Sequence, residues 1–238
     1  MDAPARPAPA TREELAHLLD FPLLDPSLTA ADMLDRLSSC KRNVPGGVVL
    51  RPRDVEAGVR ALQGSALRIA AVCGFPHGTQ TTASKLYEAR DLLRRGAREI
   101  HAVVGVAQLL SREFQQVQTE LLQLSELCRK EGAVFGAILE CSYLPDELRI
   151  IACRAVERAD VHLVKTSTGF APGEITAADV KLLRHHLPEE IGVIAVDPCA
   201  TLDRALEWHA LGATRIETSS AAAILQEWTA RHASPSVS

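Results

Sequence analysis

Residues 161–170 read VHLVKTSTGF, and the interpretation of the whole chain depends on this run. Its first four residues are mostly apolar and predict a buried parallel strand, which is followed by a hydroxyl-rich turn that ends at Gly169. Lys165 then stands at the carboxyl end of the strand, where burial of an ammonium is costly unless the group is paired or loses its proton. A lysine in such a place can form a Schiff base. The alternative is a lysine that extends to the strand end and only binds a phosphate or carboxylate, and the spacing leaves both open.

Length and composition bound the class of protein. The chain has 238 residues, 47% of them hydrophobic, which suits one large core and is common for a single α/β barrel. A formal net charge of −4 argues against nucleic acid or an anionic membrane as the main partner. No apolar run reaches the length of a membrane span, and the start lacks the apolar core of a signal peptide. The six cysteines have no metal-ligand spacing, so we expect a cytoplasmic protein without a disulfide framework or bound metal.

Strand-like and helix-like stretches alternate along the chain. Eight apolar strands, the first a short segment from Asp20, are separated by helical stretches, and glycine often stands at the junctions. Such alternation implies parallel βαβ units. Eight units predict a single TIM (β/α)8 barrel over residues 11–232, with a flexible head over 1–10 and a flexible tail over 233–238. A doubly wound open sheet is the rival, although no G-x-G-x-x-G follows the first strand.

In a barrel of this kind the chemistry lies at the carboxyl ends of the strands. We therefore expect Glu140 and Asp20 at the mouth, either as an acid–base pair or as hydrogen-bonded rim residues. Arg51 and Arg53 could hold a carboxylate or phosphate, with a solvated helix start as the alternative. His101 is expected deeper, part way along its strand. The full set predicted around the mouth is Asp20, Arg51, Phe75, Glu140, Lys165, Asp197 and Ser219.

Three segments together resemble one known family. They are GFPHG at 74–78 followed by Thr81, Thr82, Lys85 and Glu88; VKTSTGF at 164–170; and GATRI at 212–216 followed by Ser219 and Ser220. The resemblance is to the 2-deoxyribose-5-phosphate aldolases and runs from about residue 18 to residue 226. It implies an eight-stranded barrel and a class I aldolase, a lyase of carbohydrate catabolism that uses neither metal nor cofactor. That family joins acetaldehyde to glyceraldehyde 3-phosphate and cleaves the product, deoxyribose 5-phosphate.

The resemblance also implies roles for particular residues. Lys165 would be the amine that forms the Schiff base, and Thr166 and Gly169 belong to the same motif and count with the substrate-binding residues. Ser219 and Ser220 would offer hydroxyl and backbone donors to a phosphate at the start of the last helix, where an anion is favoured. Arg51 and Asp197 complete the set of residues expected to contact substrate or phosphate.

The sequence departs from the family at the positions that carry the chemistry. The family's second lysine, on the seventh strand, is Ile194; its aspartate on the fourth strand is His101; and a lysine usual on the fifth strand is Gly136. The glycine pair after the seventh strand reads Asp197-Pro198, which removes an amide donor and adds a negative charge at the phosphate site. Glu217 replaces a glycine of the last strand and is a second expected source of repulsion.

Two hypotheses of different classes follow. In the first, the chain is a divergent class I aldolase in which Lys165 is the nucleophile and His101 and Asp20 are the acid–base groups. Loss of a proton relay typically costs about 10²–10⁴-fold in rate, so we expect weak activity. Because Asp197 occupies the phosphate site, an altered substrate such as an unphosphorylated or cationic aldehyde is also expected. In the second, the barrel is a catalytically degenerate homologue that acts as a binding or interaction protein. A core histidine hydrogen-bonded to a neighbouring strand is the alternative for His101.

The expected partner is a small aldehyde or sugar phosphate, with no nucleic acid and no membrane. A homodimer is compatible with the family resemblance, but composition does not indicate one.

Overall fold

Eight parallel strands close into one barrel in the order β1 to β8, and β8 pairs with β1. The structure is a computed structural model that describes residues 6–43 and 45–233. The closed order confirms the predicted TIM barrel and excludes the doubly wound sheet. The strands are β1 Leu19–Leu23, β2 Gly47–Leu50, β3 Arg68–Cys73, β4 Glu99–Val103, β5 Val134–Ile138, β6 Leu163–Lys165, β7 Gly192–Val196 and β8 Arg215–Glu217.

Helices connect the strands and cover the outside of the barrel. They are α1 Arg12–Leu18, α2 Ala30–Asn43, α3 Val55–Ala61, α4 Thr82–Arg94, α5 Val106–Leu110, α6 Phe114–Lys130, α7 Asp146–Arg158, α8 Ala177–His186, α9 Leu202–Ala210 and α10 Ala221–His232. The short helix α5 is an addition to the elements predicted from the sequence. Several helices begin at a threonine whose hydroxyl accepts a hydrogen bond from the N–H three residues later, which satisfies one of the free donors of the first turn. These caps are Thr11, Thr81, Thr176 and Thr201.

The chain ends differ in part from the prediction. Residues 6–10 contact the barrel: the N–H of Arg6 donates to the carbonyl of Ala210 at 3.3 Å, and Pro9 is buried. The last helix ends at His232, where the sequence predicts the end of the barrel. Residues 1–5 and 234–238 lie outside the described residues, so the flexible ends stay a prediction there. Within the described residues, no helix combines the length and the apolar character needed to cross a bilayer.

The barrel interior carries an unusual number of ionisable side chains. Because side chains alternate along a strand, the register of the closed sheet places one set of residues on the inner face. Lys165 pairs in register with Ile194, and Ile194 pairs with Arg215, so these three share that face. Small residues make room for the larger ones: a Cβ added at Gly136 would lie 2.8 Å from the ring of His101. The ionisable residues that share the inner face are Asp20, Arg68, Glu99, His101, Lys165, Arg215 and Glu217.

A second buried lysine lies between the barrel and its helices. Lys85 of α4 is fully buried, and its Nζ donates to Oε1 of Glu120 on α6 at 2.7 Å and to the carbonyl of Val103 at 2.8 Å. From the sequence, Lys85 belongs to the motif after the third strand that resembles the aldolase family, and this ion pair is not predicted. Since a buried charge requires a partner, the pair ties α4 to α6.

We predict that Lys85→Met lowers the free energy of unfolding by about 3–5 kcal/mol, because it leaves the Glu120 carboxylate buried and unpaired. The double variant Lys85→Met/Glu120→Leu should recover most of that loss, since no isolated charge remains. Urea unfolding followed by circular dichroism measures both. Lys130→Met, which breaks the exposed pair with Glu126, is the control and should change little. Equal stability of Lys85→Met and the wild type would contradict the prediction.

Candidate active site

Lys165 and Glu217 form a buried ion pair at the carboxyl end of the barrel. Lys165 is the last residue of β6 and Glu217 the last residue of β8, and Nζ donates to Oε2 at 2.6 Å. Lys165 has no exposed surface and Glu217 is 1% exposed. Their strands flank β7, where Ile194 lies beside Lys165 in register. Because Ile194 offers no polar group, the two charges bind each other past an apolar side chain.

A cleft of about 350 Å³ opens onto this pair. Glu217 is one of the residues that line the cleft, whereas the fully buried Lys165 is not, so Glu217 lies between Lys165 and the cleft. The other charged side chains of the lining are Asp25 and Arg36. Most of the wall is apolar, and it includes Pro22, Leu24, Leu28, Phe170, Val196 and Pro198.

The loop after β6 is held by hydrogen bonds to its own threonines. The hydroxyl of Thr166 accepts from the N–H of Val196 at 3.1 Å, which joins the loop to β7. The N–H and the hydroxyl of Thr168 both donate to Oε2 of Glu140, which has φ +54°. Gly169 has φ +79°, a left-handed backbone that favours glycine, and it lines the cleft. The VKTSTGF run therefore forms one side of the mouth.

Glu140 binds this loop and not Asp20. Its Oε1 is buried without a hydrogen-bond partner in the structure. Burial raises the pKa of Glu140 above its ordinary value, although the hydrogen bonds from Thr168 and the charge of Lys165 act in the opposite direction. Of the two alternatives for Glu140, the geometry matches a hydrogen-bonded residue at the rim and not an acid–base pair with Asp20.

The residues expected to hold phosphate have other partners. The N–H of Ser219 donates to the carbonyl of Pro198 at 3.1 Å, and the N–H of Ser220 donates to the hydroxyl of Thr218 at 3.1 Å. Ser219 lines the cleft. The hydrogen bonds leave these two amide groups already bound within the chain. A phosphate at the start of α10 would have to compete with them.

Asp197 does not add charge to the mouth, which corrects the sequence analysis. Its Oδ2 accepts from Nε of Arg204 at 2.8 Å and from Nε1 of Trp208 at 2.9 Å, and both partners lie on α9. Asp197 directly follows β7. Side chains alternate along a strand, and Val196, one residue earlier, lines the cleft, so the Asp197 side chain points to the helix layer. The negative charge is thus paired outside the barrel.

Arg51 holds a neighbouring loop and has no free donor group directed at the cleft. Its Nε donates to Asp54 at 2.6 Å, while Nη1 and Nη2 donate to the carbonyls of Asp25 and Leu28 at 2.6 and 3.0 Å. The neighbouring Arg53 is 73% exposed at the start of the following helical turn. The geometry gives the expected role of Arg51 in substrate binding no support.

Asp20 and His101 belong to a polar network at the amino-terminal end of the barrel. Oδ1 of Asp20 accepts from Arg68 at 2.9 Å, and Arg215 lies 3.5 Å from its Oδ2. Arg215 also donates to Oε1 of Glu99 at 2.7 Å, and Nε2 of His101 lies 2.7 Å from the same oxygen. Arg68, Glu99 and Arg215 begin their strands, so the expected place of Asp20 at the mouth is wrong. For His101 the geometry matches the alternative of a hydrogen-bonded core histidine, although its partner Glu99 lies on the same strand and not on a neighbouring one.

Glu99 is the electrostatic centre of this network. Burial by itself would raise the pKa of Glu99, but the hydrogen bond and charge of His101, together with Arg215, outweigh it and hold that pKa at about 2. The ionised carboxylate therefore stabilises the folded barrel. Among the described residues, no three His, Cys, Asp or Glu side chains come together as a metal-binding group.

Comparison with known proteins gives the family. A model of the DeoC/LacD family of aldolases matches residues 23–186. The chain belongs to this family. A deoxyribose-phosphate aldolase from Bacteroides thetaiotaomicron is 36% identical over 91% of this chain and 91% of its own length. Another, from Thermoanaerobacter pseudethanolicus, is 34% identical over 90% of this chain and 96% of its own. The tetrameric deoxyribose phosphate aldolase from Aeropyrum pernix superposes with a TM-score of 0.86 at 27% identity and covers 94% of each chain.

Membership confirms the resemblance and makes the chain an aldolase-type lyase. Of the predicted site residues, the aldolase barrel brings Lys165, Thr166, Gly169 and Ser219 together at its mouth. Glu217 is the residue whose function the sequence analysis missed, because it was treated only as a source of repulsion. The sequence does contain a signal for it. Glu217 ends the eighth strand, two strands along from the sixth strand that Lys165 ends, and a buried ammonium needs an anion.

We predict that Glu99 contributes acid-sensitive stability to this aldolase. Because its pKa is about 2 in the folded state and 4.5 ordinarily, the contribution is complete above pH 4.5 and is lost as the pH falls towards 2. The loss is on the order of 3 kcal/mol, since a tenfold change in acidity corresponds to about 1.4 kcal/mol. Urea unfolding at several pH values should show a flatter acid profile for Glu99→Gln than for the wild type. The exposed variant Glu126→Gln is the control, and parallel profiles for all three proteins would refute the idea.

Proposed function

We propose that the chain is a class I aldolase that forms a Schiff base on Lys165 and catalyses reversible aldol cleavage and condensation of small aldehydes. One observation carries this proposal: the buried amine at the end of β6 lies 2.6 Å from the carboxylate of Glu217, a residue that lines the cleft at the mouth. The named activity of the relatives, deoxyribose-phosphate aldolase, gives the reaction class. One aldehyde is bound as the Schiff base, and the aldehyde with which it condenses is a small aldehyde or a sugar phosphate.

The reaction requires a neutral amine at Lys165. In the structure Nζ of Lys165 is ion-paired with Glu217 at 2.6 Å, so the ammonium must pass a proton to that carboxylate before it reacts. The amine attacks the carbonyl carbon, and loss of water gives the iminium that withdraws electrons during cleavage or condensation. Thr168 and Gly169 line the cleft that the carbonyl compound would enter. With one lysine at the site, the turnover is expected to be slower than that of a site with a complete proton relay.

The mouth favours an uncharged substrate over a phosphorylated one. Pro198 has no N–H to offer, and the amides of Ser219 and Ser220 donate within the chain. The charges of Asp25 and Arg36 oppose each other in the lining, so the cleft has no excess of positive charge. Apolar walls suit an aldehyde with an uncharged chain. The altered substrate expected from the sequence is therefore part of the proposal.

A catalytically degenerate homologue that binds a partner is the second candidate. It is favoured by one observation: Lys165 is fully buried and ion-paired, a state in which its ammonium cannot attack a carbonyl. The two candidates differ in whether the amine ever reacts.

We predict that borohydride reduction with acetaldehyde or propanal attaches a stable adduct to Lys165 in the wild type and none in Lys165→Ala. Reduction fixes only an imine, so intact-mass and peptide analysis reports the reacting amine. Deoxyribose and deoxyribose 5-phosphate are tested alongside across pH 6–9. Lys181→Ala, which removes a lysine of helix α8, is the control and should keep the adduct. Absence of an adduct with every carbonyl would overturn the aldolase proposal and favour the degenerate homologue.

We also predict that wild-type kcat/KM for deoxyribose is at least as high as that for deoxyribose 5-phosphate. Pro198→Ala adds an N–H at the mouth and should raise kcat/KM for the phosphorylated substrate by about 10-fold, the effect of one hydrogen bond to a charged group. The rate with deoxyribose serves as the internal control and should stay unchanged. A wild type that strongly prefers the phosphorylated sugar would contradict the proposed specificity.

The assembly and location of the protein stay predictions. The Aeropyrum pernix relative is a tetramer, whereas the family resemblance is compatible with a homodimer. Light scattering of the full chain distinguishes the two. The cytoplasmic location rests on composition.

A further inference from the structure

The proposed reaction needs a group that moves protons beside Lys165, and the residues first expected to do so are bound elsewhere. His101 contacts Glu99 in the amino-terminal network, and Asp20 is bound by Arg68 in that same network. Ile194 replaces the second lysine that the family resemblance implies. Within the described residues, Glu217 is the hydrogen-bond partner of Nζ.

We propose that Glu217 is the proton-transfer residue of this aldolase and performs both the acid and the base steps. The inference rests on the proposed function, because it assumes that Lys165 forms a Schiff base. Two independent features support it: Oε2 lies 2.6 Å from the reacting nitrogen, and Glu217 is one of the residues that line the cleft that a substrate would enter. A carboxylate with one side on the nucleophile and the other on the substrate can exchange protons with both.

The proton returns to Glu217 between steps. In the resting pair the carboxylate takes a proton from the Lys165 ammonium, and the neutral amine then forms a C–N bond while the carbonyl π electrons move to oxygen. Glu217 gives its proton to that oxygen and takes one from nitrogen, which yields the carbinolamine. It then protonates the hydroxyl, which leaves as water as the nitrogen lone pair forms the C=N bond. The products are an iminium, one water and the carboxylate, so atoms and charge balance.

Carbon–carbon bond formation uses the same carboxylate. Glu217 removes a proton from the carbon next to the iminium, and the C–H electrons form the enamine. The enamine carbon attacks the second aldehyde, and the new alkoxide takes the proton from Glu217. Water then hydrolyses the iminium to the product carbonyl and the Lys165 ammonium, which restores the resting ion pair with the Glu217 carboxylate. No metal, oxidant or reductant takes part in these steps.

The glutamate stands at a position where the family resemblance implies glycine. At a glycine this position could not exchange protons, so its replacement adds an acid–base group to the mouth. The carboxylate that we first interpreted as a repulsive element is neutralised by Lys165 and is therefore available for chemistry. The same replacement narrows the cleft.

The test measures imine formation and proton removal separately in the full-length protein. Propanal is incubated in D2O, and the exchange of its α-hydrogens is followed by NMR, while borohydride trapping reports the imine. We expect Glu217→Gln to keep the adduct on Lys165 after long incubation and to lose about 10²–10⁴-fold in the exchange rate. The pH dependence of the wild-type exchange rate on its acid side should be lost in the variant. Glu217→Asp should recover part of the rate.

The matched control is Glu120→Gln, which makes the same substitution in the other buried Lys–Glu pair, away from the mouth. It should lower stability and keep the exchange rate, which separates a catalytic loss from a structural one. If Glu217→Gln fails to fold, Glu217→Gly is used, and added formate should restore exchange by occupying the space of the lost carboxylate. Full exchange in Glu217→Gln, or no rescue of a folded but inactive Glu217→Gly by formate, would overturn the role of Glu217 and leave the aldolase proposal standing. Absence of any adduct in the wild type would overturn both.

Discussion

The ion pair between Lys165 and Glu217 is the constraint on which the mouth of this barrel depends. Neither charge can be buried alone, because removing one partner of a buried pair typically costs about 3–5 kcal/mol. The two residues end strands that flank β7, and Glu217 pairs in register with Val196, two residues beyond the Ile194 that pairs with Lys165. The pair also links two departures from the family: His101 stands where the resemblance implies an aspartate, and Glu217 supplies the anion beside the buried amine.

The polar groups of the barrel interior are divided between its two ends. At the amino-terminal end, Glu99 accepts a hydrogen bond from Arg215 and contacts His101, and both partners hold its carboxylate ionised. Gly136 allows this arrangement because a side chain there would overlap the imidazole ring. A histidine at the family's aspartate position is therefore drawn to the opposite end from the mouth. A replacement at a catalytic position thus need not inherit its role, since the nearest strong partner decides where the side chain binds.

The fold could be predicted from sequence because it repeats one local pattern, a strand followed by a helix, eight times. A small error in the bounds of one strand does not change the number of strands. The site depends on single side-chain directions and distant partners, which local patterns do not contain. Asp197 was assigned to the mouth, but its partner Arg204 lies on the next helix. Arg51 binds carbonyl groups 23 and 26 residues away. Asp20 lies near the start of β1. If the bounds of that short strand are misjudged, Asp20 is placed at the carboxyl end of the barrel when it belongs to the amino-terminal end.

A carboxylate neighbour and an ammonium neighbour act on a nucleophilic lysine in opposite ways. A second ammonium repels the charge of a lysine, whereas the carboxylate of Glu217, 2.6 Å from Nζ of Lys165, attracts it. Proton transfer within the pair converts two charges into a neutral amine and a neutral acid. That conversion becomes easier as water leaves, since desolvation penalises charged groups far more than neutral ones. Because the cleft walls are mostly apolar, an apolar aldehyde that fills the cleft excludes water from Glu217. In the proposed mechanism, an aldehyde in the cleft would therefore favour proton transfer from Lys165 to Glu217, which couples reactivity to the presence of a substrate.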